Sequence, residues 1–212
     1  MDRPHIIINC AMSLDGKIAS KSGKQIKISC EEDIKRMYKL RHNSDAVLVG
    51  IGTVLSDDPK LTVKEKYVKN PKHPVRIVLD TNCKTPTNAL VVNNTTKTLI
   101  ITDKKCNKKY QNNVELIKCK SDGKGFINLE NLIEILKEKG IQKLMVEGGS
   151  TVIGSFLKSN LLDDMYVYVA PMIIGGTNTP SLVKNINENI NLRLVKIKKT
   201  GIGTLLHFRL IK

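Results

Sequence analysis

Short apolar runs recur along this chain, and they limit more than any other feature how it can fold. Residues 5–11 (HIIINCA), 46–50 (AVLVG) and 75–80 (VRIVLD) have almost no polar face, and residues 98–102 (TLIIT) and 143–146 (KLMV) continue the series. Strands apolar on both sides must be covered on both sides, as in parallel sheets flanked by helices. Helical spacing lies between them, at Ile34, Met37, Tyr38 and Leu40 and again at Leu129, Leu132, Ile133 and Leu136. After residue 164 the order changes, and strand patterns follow one another at 164–170, 192–199 and 204–210. The pattern predicts an α/β fold, a mostly parallel central sheet flanked by helices with an antiparallel C-terminal hairpin. Residues 1–212 read as one domain, with no internal repeat and no long linker.

Local signals refine this reading. Ser29 stands as N-cap of the first long helix, with Glu32 completing a capping box. Asn128 caps the helix at 129–139, and Gly140 stops it. A short strand is expected at 25–28 and an extended piece at 61–63, and residues 103–113 read as a polar, exposed loop.

Composition excludes several classes of function. The net charge is +15, which invites a nucleic-acid reading, yet aromatics are 4% with no Trp, so stacking platforms are scarce. The lysines are spread along the chain rather than gathered into a tract, so the charge reads as solvated surface with a few cations at a site. No apolar run nears the roughly 18–20 residues of a membrane span. The N-terminus lacks a basic region and a cleavage site, and a cytoplasmic protein is expected. The five cysteines have no metal-site spacing. Reduced thiols and no metal are expected.

Two strand–glycine–helix junctions are the best candidates for ligand contact. One is Val49-Gly50-Ile51-Gly52-Thr53, the other Val146-Glu147-Gly148-Gly149-Ser150-Thr151. Both would open at the carboxyl ends of strands, where open α/β sheets bind ligands. Glycines admit close backbone approach, and a helix start favours phosphate. Neither is the dinucleotide fingerprint, because the third glycine is missing after Gly50-Ile51-Gly52. Asp57-Asp58-Pro59 reads either as a carboxylate pair or as turn chemistry before Pro59. Asp15 and Lys17 flank a glycine at the end of the first strand, as a surface turn or as weak candidates for catalysis. Arg41 reads as a helix-end cation or as a phosphate ligand, and Lys64 as a second cation. The histidines share no motif and no activated Cys stands out, which suits chemistry carried by a bound cofactor.

Taken in order, five segments resemble one family. They are residues 12–17 (MSLDGK), 49–62 (VGIGTVLSDDPKLT), 74–80 (PVRIVLD), 146–151 (VEGGST) and 168–176 (YVAPMIIGG). Together they resemble the reductases of riboflavin biosynthesis, over nearly the whole chain. The resemblance implies the dihydrofolate-reductase-like fold and a homodimer. It also implies NADPH-dependent reduction (NADH being the other nicotinamide) of a pyrimidine ribosylamine 5′-phosphate, by hydride transfer to C1′ of the opened sugar. No H-x-E or P-C-x-x-C deaminase signature is present. That points to the free-standing type of reductase, which acts on the 2,5-diamino-6-ribosylamino-pyrimidinone phosphate. The deaminated uracil analogue and dihydrofolate are the alternatives. The implied cofactor contacts are Ala11, Thr53, Asp57, Thr81 and the loop Gly148, Gly149, Ser150 and Thr151. The implied substrate contacts are Gln25, Arg41, Leu61, Lys64 and Glu147. Lys64 stands where fused relatives have Arg and keeps the charge without the fork.

Overall fold

The computed structural model describes residues 3–21 and 26–211. In chain order its elements are β1 (His5–Ser13), α1 (Glu31–His42), β2 (Ala46–Gly50), α2 (Ile51–Asp57), β3 (Val75–Leu79), β4 (Thr98–Thr102), β5 (Val114–Lys118), α3 (Leu129–Glu138), β6 (Lys143–Gly148), α4 (Ser150–Lys158), β7 (Asp164–Ala170), β8 (Leu192–Thr200) and β9 (Gly203–Leu210). The strands form a nine-stranded sheet in the order β5-β4-β3-β2-β6-β1-β7-β9-β8. Every pairing from β5 across to β7 is parallel. The last two strands run antiparallel, as the sequence pattern predicts.

The doubly apolar runs take the positions their composition demands. Every residue of β2 and β4 is buried. Alternate side chains feed opposite faces. Leu48, Ile77, Leu99 and Ile101 pack with Leu132 and Leu136 of α3 and Ile153 and Phe156 of α4. Val47, Val49, Val78 and Ile100 pack with Val54, Leu61 and Val91 on the other face. Asn128 caps α3, its side-chain oxygen accepting from Asn131 N at 2.9 Å, and Gly140, with φ 73, ends the run. Asn128→Ala is expected to cost about 1 kcal/mol in urea denaturation.

Three local expectations are corrected. The N-cap of α1 is Cys30, not Ser29. The Ser29 hydroxyl donates instead to Asp33 Oδ2 at 2.6 Å, while Arg36 forks onto Asp33 Oδ1. An ionised carboxylate outcompetes a backbone amide for that hydroxyl. Residues 61–63 are not extended throughout, because Leu61 has φ 52 and turns its side chain into the core. Residues 26–28 join no ladder, and Gln25 lies outside the described residues.

Two cysteines meet in space. Cys83 and Cys106 lie side by side with Cα atoms 5.6 Å apart, while Cys10, Cys30 and Cys119 stand elsewhere. Cys83 follows β3 and Cys106 follows β4. Those strands are neighbours in the sheet, a proximity that the spacing in sequence does not carry. Among the described residues no helix is long and apolar enough to cross a membrane, and no group of His, Cys, Asp and Glu could hold a metal ion.

Candidate active site

The β6–α4 junction is built by glycine. Gly148 has φ 124, a backbone conformation that side chains avoid, and its peptide bond to Gly149 is cis. A Cβ on Gly149 would stand 3.4 Å from Thr53 Oγ1, an ordinary van der Waals contact that shows how near α2 lies to the start of α4. The Ser150 hydroxyl is turned away, donating to the Ser181 carbonyl. Lys184 N donates to Ser150 O, so residues 180–184 lie as a strap along this end of α4.

Two cavities meet at this junction. The first, about 550 Å³, runs from Ile18, Thr53 and Asp57 past Gly149, Ser150 and Thr151 to Thr81, Asn82 and Lys84. The second, about 480 Å³, is walled by Ala11, Ile26, Lys27, Ile28, Glu147 and Gly148. Both are of ligand size. Their shared wall is Ile18, Thr53, Asp57 and Gly149. Asp57 Oδ1 is buried there without a hydrogen-bond partner among the described residues. A buried acceptor without a donor suits the amide or hydroxyl of a ligand.

The predicted residues divide accordingly. Thr53, Asp57, Thr81, Gly149, Ser150 and Thr151 line the first cavity, and Ala11, Glu147 and Gly148 the second. Arg41, Leu61, Lys64, Asp15 and Lys17 line neither. Lys64 is exposed, its ammonium 5.8 Å from the Tyr38 ring centroid. Sequence reading missed Lys84 and Lys184. Lys84 had a signal, since it follows the carboxyl end of a buried strand. Lys184, in an irregular strap, had none.

Arg41 lies behind Glu147. Its Nε and Nη2 donate to the two oxygens of Glu147, each at 2.6 Å, and Nη1 donates to Thr62 O at 2.9 Å. Burial disfavours the guanidinium charge, but the adjacent Glu147 carboxylate outweighs it and raises the Arg41 pKa. The fork fixes the orientation of Glu147 at the wall of the second cavity. Cys10 lines that cavity too, but burial pushes its thiol up to about 12, so it is protonated and unreactive at neutral pH.

Asp15 and Lys17 fasten loops. The Asp15 carboxylate accepts from Ser13 Oγ at 2.5 Å and from the amides of Ile174 and Gly175. The Ser13 hydroxyl, then these amides, hold its pKa down from 3.8 to about 2. Lys17 Nζ donates to Ser181 Oγ at 3.3 Å, while Ile18 N and Leu182 N bond across to Pro180 O and Gly16 O. The turn after β1 is thereby zipped to the strap. A depressed carboxylate pKa means that the Asp15 contacts persist above its ordinary value and are lost only as pH falls through the folded value. The amide resonances of Ile174 and Gly175 should titrate with a midpoint near 2 rather than near 4, and Asp15→Asn should abolish that titration.

Known proteins agree with this architecture. The family model of the RibD C-terminal domain matches residues 4–206. A 2,5-diamino-6-ribosylamino-4(3H)-pyrimidinone 5′-phosphate reductase of Archaeoglobus fulgidus is 40% identical over 209 residues, 95% of each chain. A protein of the same name from Methanothermobacter thermautotrophicus is 38% identical over 201 residues, 93% of each. A deaminase and 5-amino-6-(5-phosphoribosylamino)uracil reductase of Thermotoga maritima superposes with a TM-score of 0.84 at 26% identity; the match covers 99% of this chain and 57% of that one. With a matching family model over most of its length and two relatives of this similarity, the chain belongs to the RibD C-terminal domain family.

Proposed function

We propose that this chain is an NADPH-dependent reductase of 2,5-diamino-6-ribosylamino-4(3H)-pyrimidinone 5′-phosphate in riboflavin biosynthesis, converting the ribosylamino group to ribitylamino. The observation that carries this reading is the wall of Ile18, Thr53, Asp57 and Gly149 common to two ligand-sized cavities. Ligands held on either side of it meet there, as a two-substrate reaction requires. The names of the archaeal relatives supply the substrate class.

The first cavity fits a dinucleotide. Its glycine-lined wall and the start of α4 suit phosphate, and Asp57 offers an unpartnered acceptor. Thr53, Thr81 and Gly149–Thr151 would hold the cofactor, with Ala11 and Gly148 closing the site from the second cavity. When bound, the nicotinamide supplies hydride. Arg41 keeps Glu147 oriented, and the free lone pairs of Glu147 accept from donor groups of the substrate. In this reading Arg41 acts through Glu147. The substrate phosphate is assigned to Lys27 on the cavity wall and Lys64 beyond it, with Leu61 supporting that loop from the core. Asp15 and Lys17 secure the strap rather than donate protons. A homodimer would use the outer hairpin, where Leu194, Val195, Ile197 and Ile202 are exposed. An exposed apolar cluster of this kind marks a contact surface.

The test is NADPH oxidation followed by absorbance, with the diamino phosphate, its deaminated analogue and dihydrofolate supplied separately. Turnover is expected with the diamino compound. Faster turnover with the uracil analogue would move the step to after deamination, and oxidation with neither phosphate would overturn the assignment.

A further inference from the structure

Residues 61–74 carry Lys64 back over α1. Histidines tie the ends of this segment. Val63 N donates to His73 Nδ1 at 3.2 Å, and Lys72 N donates to His42 Nδ1, at the end of α1, at 3.0 Å. Between these ties, Tyr67 N and Val68 N both donate to Lys64 O, at 3.0 and 3.3 Å. Lys64 and Tyr67 therefore belong to one tight turn. The Tyr67 ring lies on the Tyr38 ring of α1, with centroids 4.8 Å apart and planes 11° from parallel. Stacked rings at this separation attract beyond the area they bury. Tyr38 itself is only 8% exposed, so the turn is seated on a rigid base.

Two lysines leave this turn, and their surroundings differ. Lys66 Nζ lies 5.0 Å from the Tyr67 centroid and pairs with Glu31 Oε1 at 2.8 Å, so its charge is met. Lys64 Nζ lies 5.8 Å from the Tyr38 centroid, and no carboxylate pairs with it among the described residues. The π face of a ring attracts an ammonium without neutralising it. Arg41 also stands over Tyr38, its Cζ 5.4 Å from the centroid, and its Nη1 donates to Thr62 O, two residues before Lys64. Tyr38 thus joins this free cation to the ion pair that orients Glu147 at the second cavity. A lysine is a point charge on a flexible stem, and an anion that binds it ordinarily has to immobilise that stem. An ammonium already held over a ring has lost that freedom before the anion arrives.

We infer, on the basis of the function proposed above, that the Tyr38–Tyr67 stack is the positioning element for the substrate phosphate. It presents Lys64, ordered and unneutralised, to the 5′-phosphate. Tyr67 acts through Lys64 and does not touch the substrate.

The test follows NADPH oxidation with two substrates, the diamino 5′-phosphate and its dephosphorylated ribosylamine. The proteins are the wild type, Tyr67→Ala, Tyr67→Leu, Tyr67→Phe, Lys64→Ala and the double variant of Tyr67→Ala with Lys64→Ala. Tyr67→Ala should raise KM for the phosphate by roughly five- to fiftyfold, the combined range of a cation–π contact and a freed side chain, with kcat little changed. KM for the dephosphorylated compound should not move. Tyr67→Leu fills the space without a π face and should match Tyr67→Ala. Tyr67→Phe keeps the ring and should restore KM. In the Lys64→Ala background, Tyr67→Ala should add nothing, because its effect passes through the ammonium. Equal rises in KM for both substrates, full additivity with Lys64→Ala, or a wild type indifferent to the phosphate overturns this inference and leaves the reductase assignment standing. Failure of the wild type to oxidise NADPH with either the diamino phosphate or its deaminated analogue overturns that assignment as well.

Discussion

Arg41→Ala is expected to destabilise the protein by about 3–5 kcal/mol, because it strands a buried carboxylate. The Arg41 and Glu147 side chains are only 11% and 12% exposed, and both bonds of the fork are short. Removing the cation leaves Glu147 desolvated and unpaired, and Thr62 O loses a donor. Urea denaturation should show the loss directly. Activity should fall further than stability requires, since an unheld Glu147 can rotate out of place. Arg41→Met combined with Glu147→Leu separates the two effects. Removing both charges together should recover much of the stability, as replacement of buried ion pairs by apolar groups often does. It should recover no activity. If Arg41→Ala instead raises KM for the phosphorylated substrate and leaves stability unchanged, Arg41 is the free phosphate ligand that its place at the end of a helix allows.

The second large effect is expected at Gly154. Gly→Ala inside a helix ordinarily gains up to about 1 kcal/mol. Here the sign should reverse. A Cβ at this position would run into the carbonyl oxygen of Lys184 and stand 3.4 Å from Val183 Cγ1. The obstacle is backbone, which cannot rotate aside, so the strap must lift. Overpacking of this kind costs about 1–3 kcal/mol. Pro180 and Lys184 of the strap line the first cavity and Leu182 the second, so Gly154→Ala should also weaken binding of adenosine nucleotides in calorimetry. Gly52→Ala is the control. Nothing lies within 4 Å of its added Cβ, and the thermal midpoint should hold or rise.

Much of the fold was legible because burial writes itself into sequence. AVLVG has no polar face to offer water, so it predicted a buried strand, TLIIT predicted another strand, and the hairpin at 192–210 followed from strand patterns without a helix between them. The family segments named the glycine junctions, and the structure puts both around one pair of cavities. Ser29 shows the limit of local reading. Its place before acidic residues fits a cap, but Asp33, held by Arg36, is the stronger acceptor.

The sequence by itself determined most of the strands and helices, the mostly parallel character of the sheet and the identity of the residues at the two junctions, because those depend on periodicity and on short-range backbone preferences. Only the tertiary structure decided what these residues face. Arg41 and Glu147 are 106 residues apart, and their ion pair exists only because α1 and β6 are brought together. Cys83 and Cys106 meet because β3 and β4 are neighbours. Asp80 is turned inward and Lys84 is left free by hydrogen bonds within a loop whose pattern carries no periodicity. Contacts between distant segments follow from the packing of whole elements, and no local arrangement of side chains encodes them.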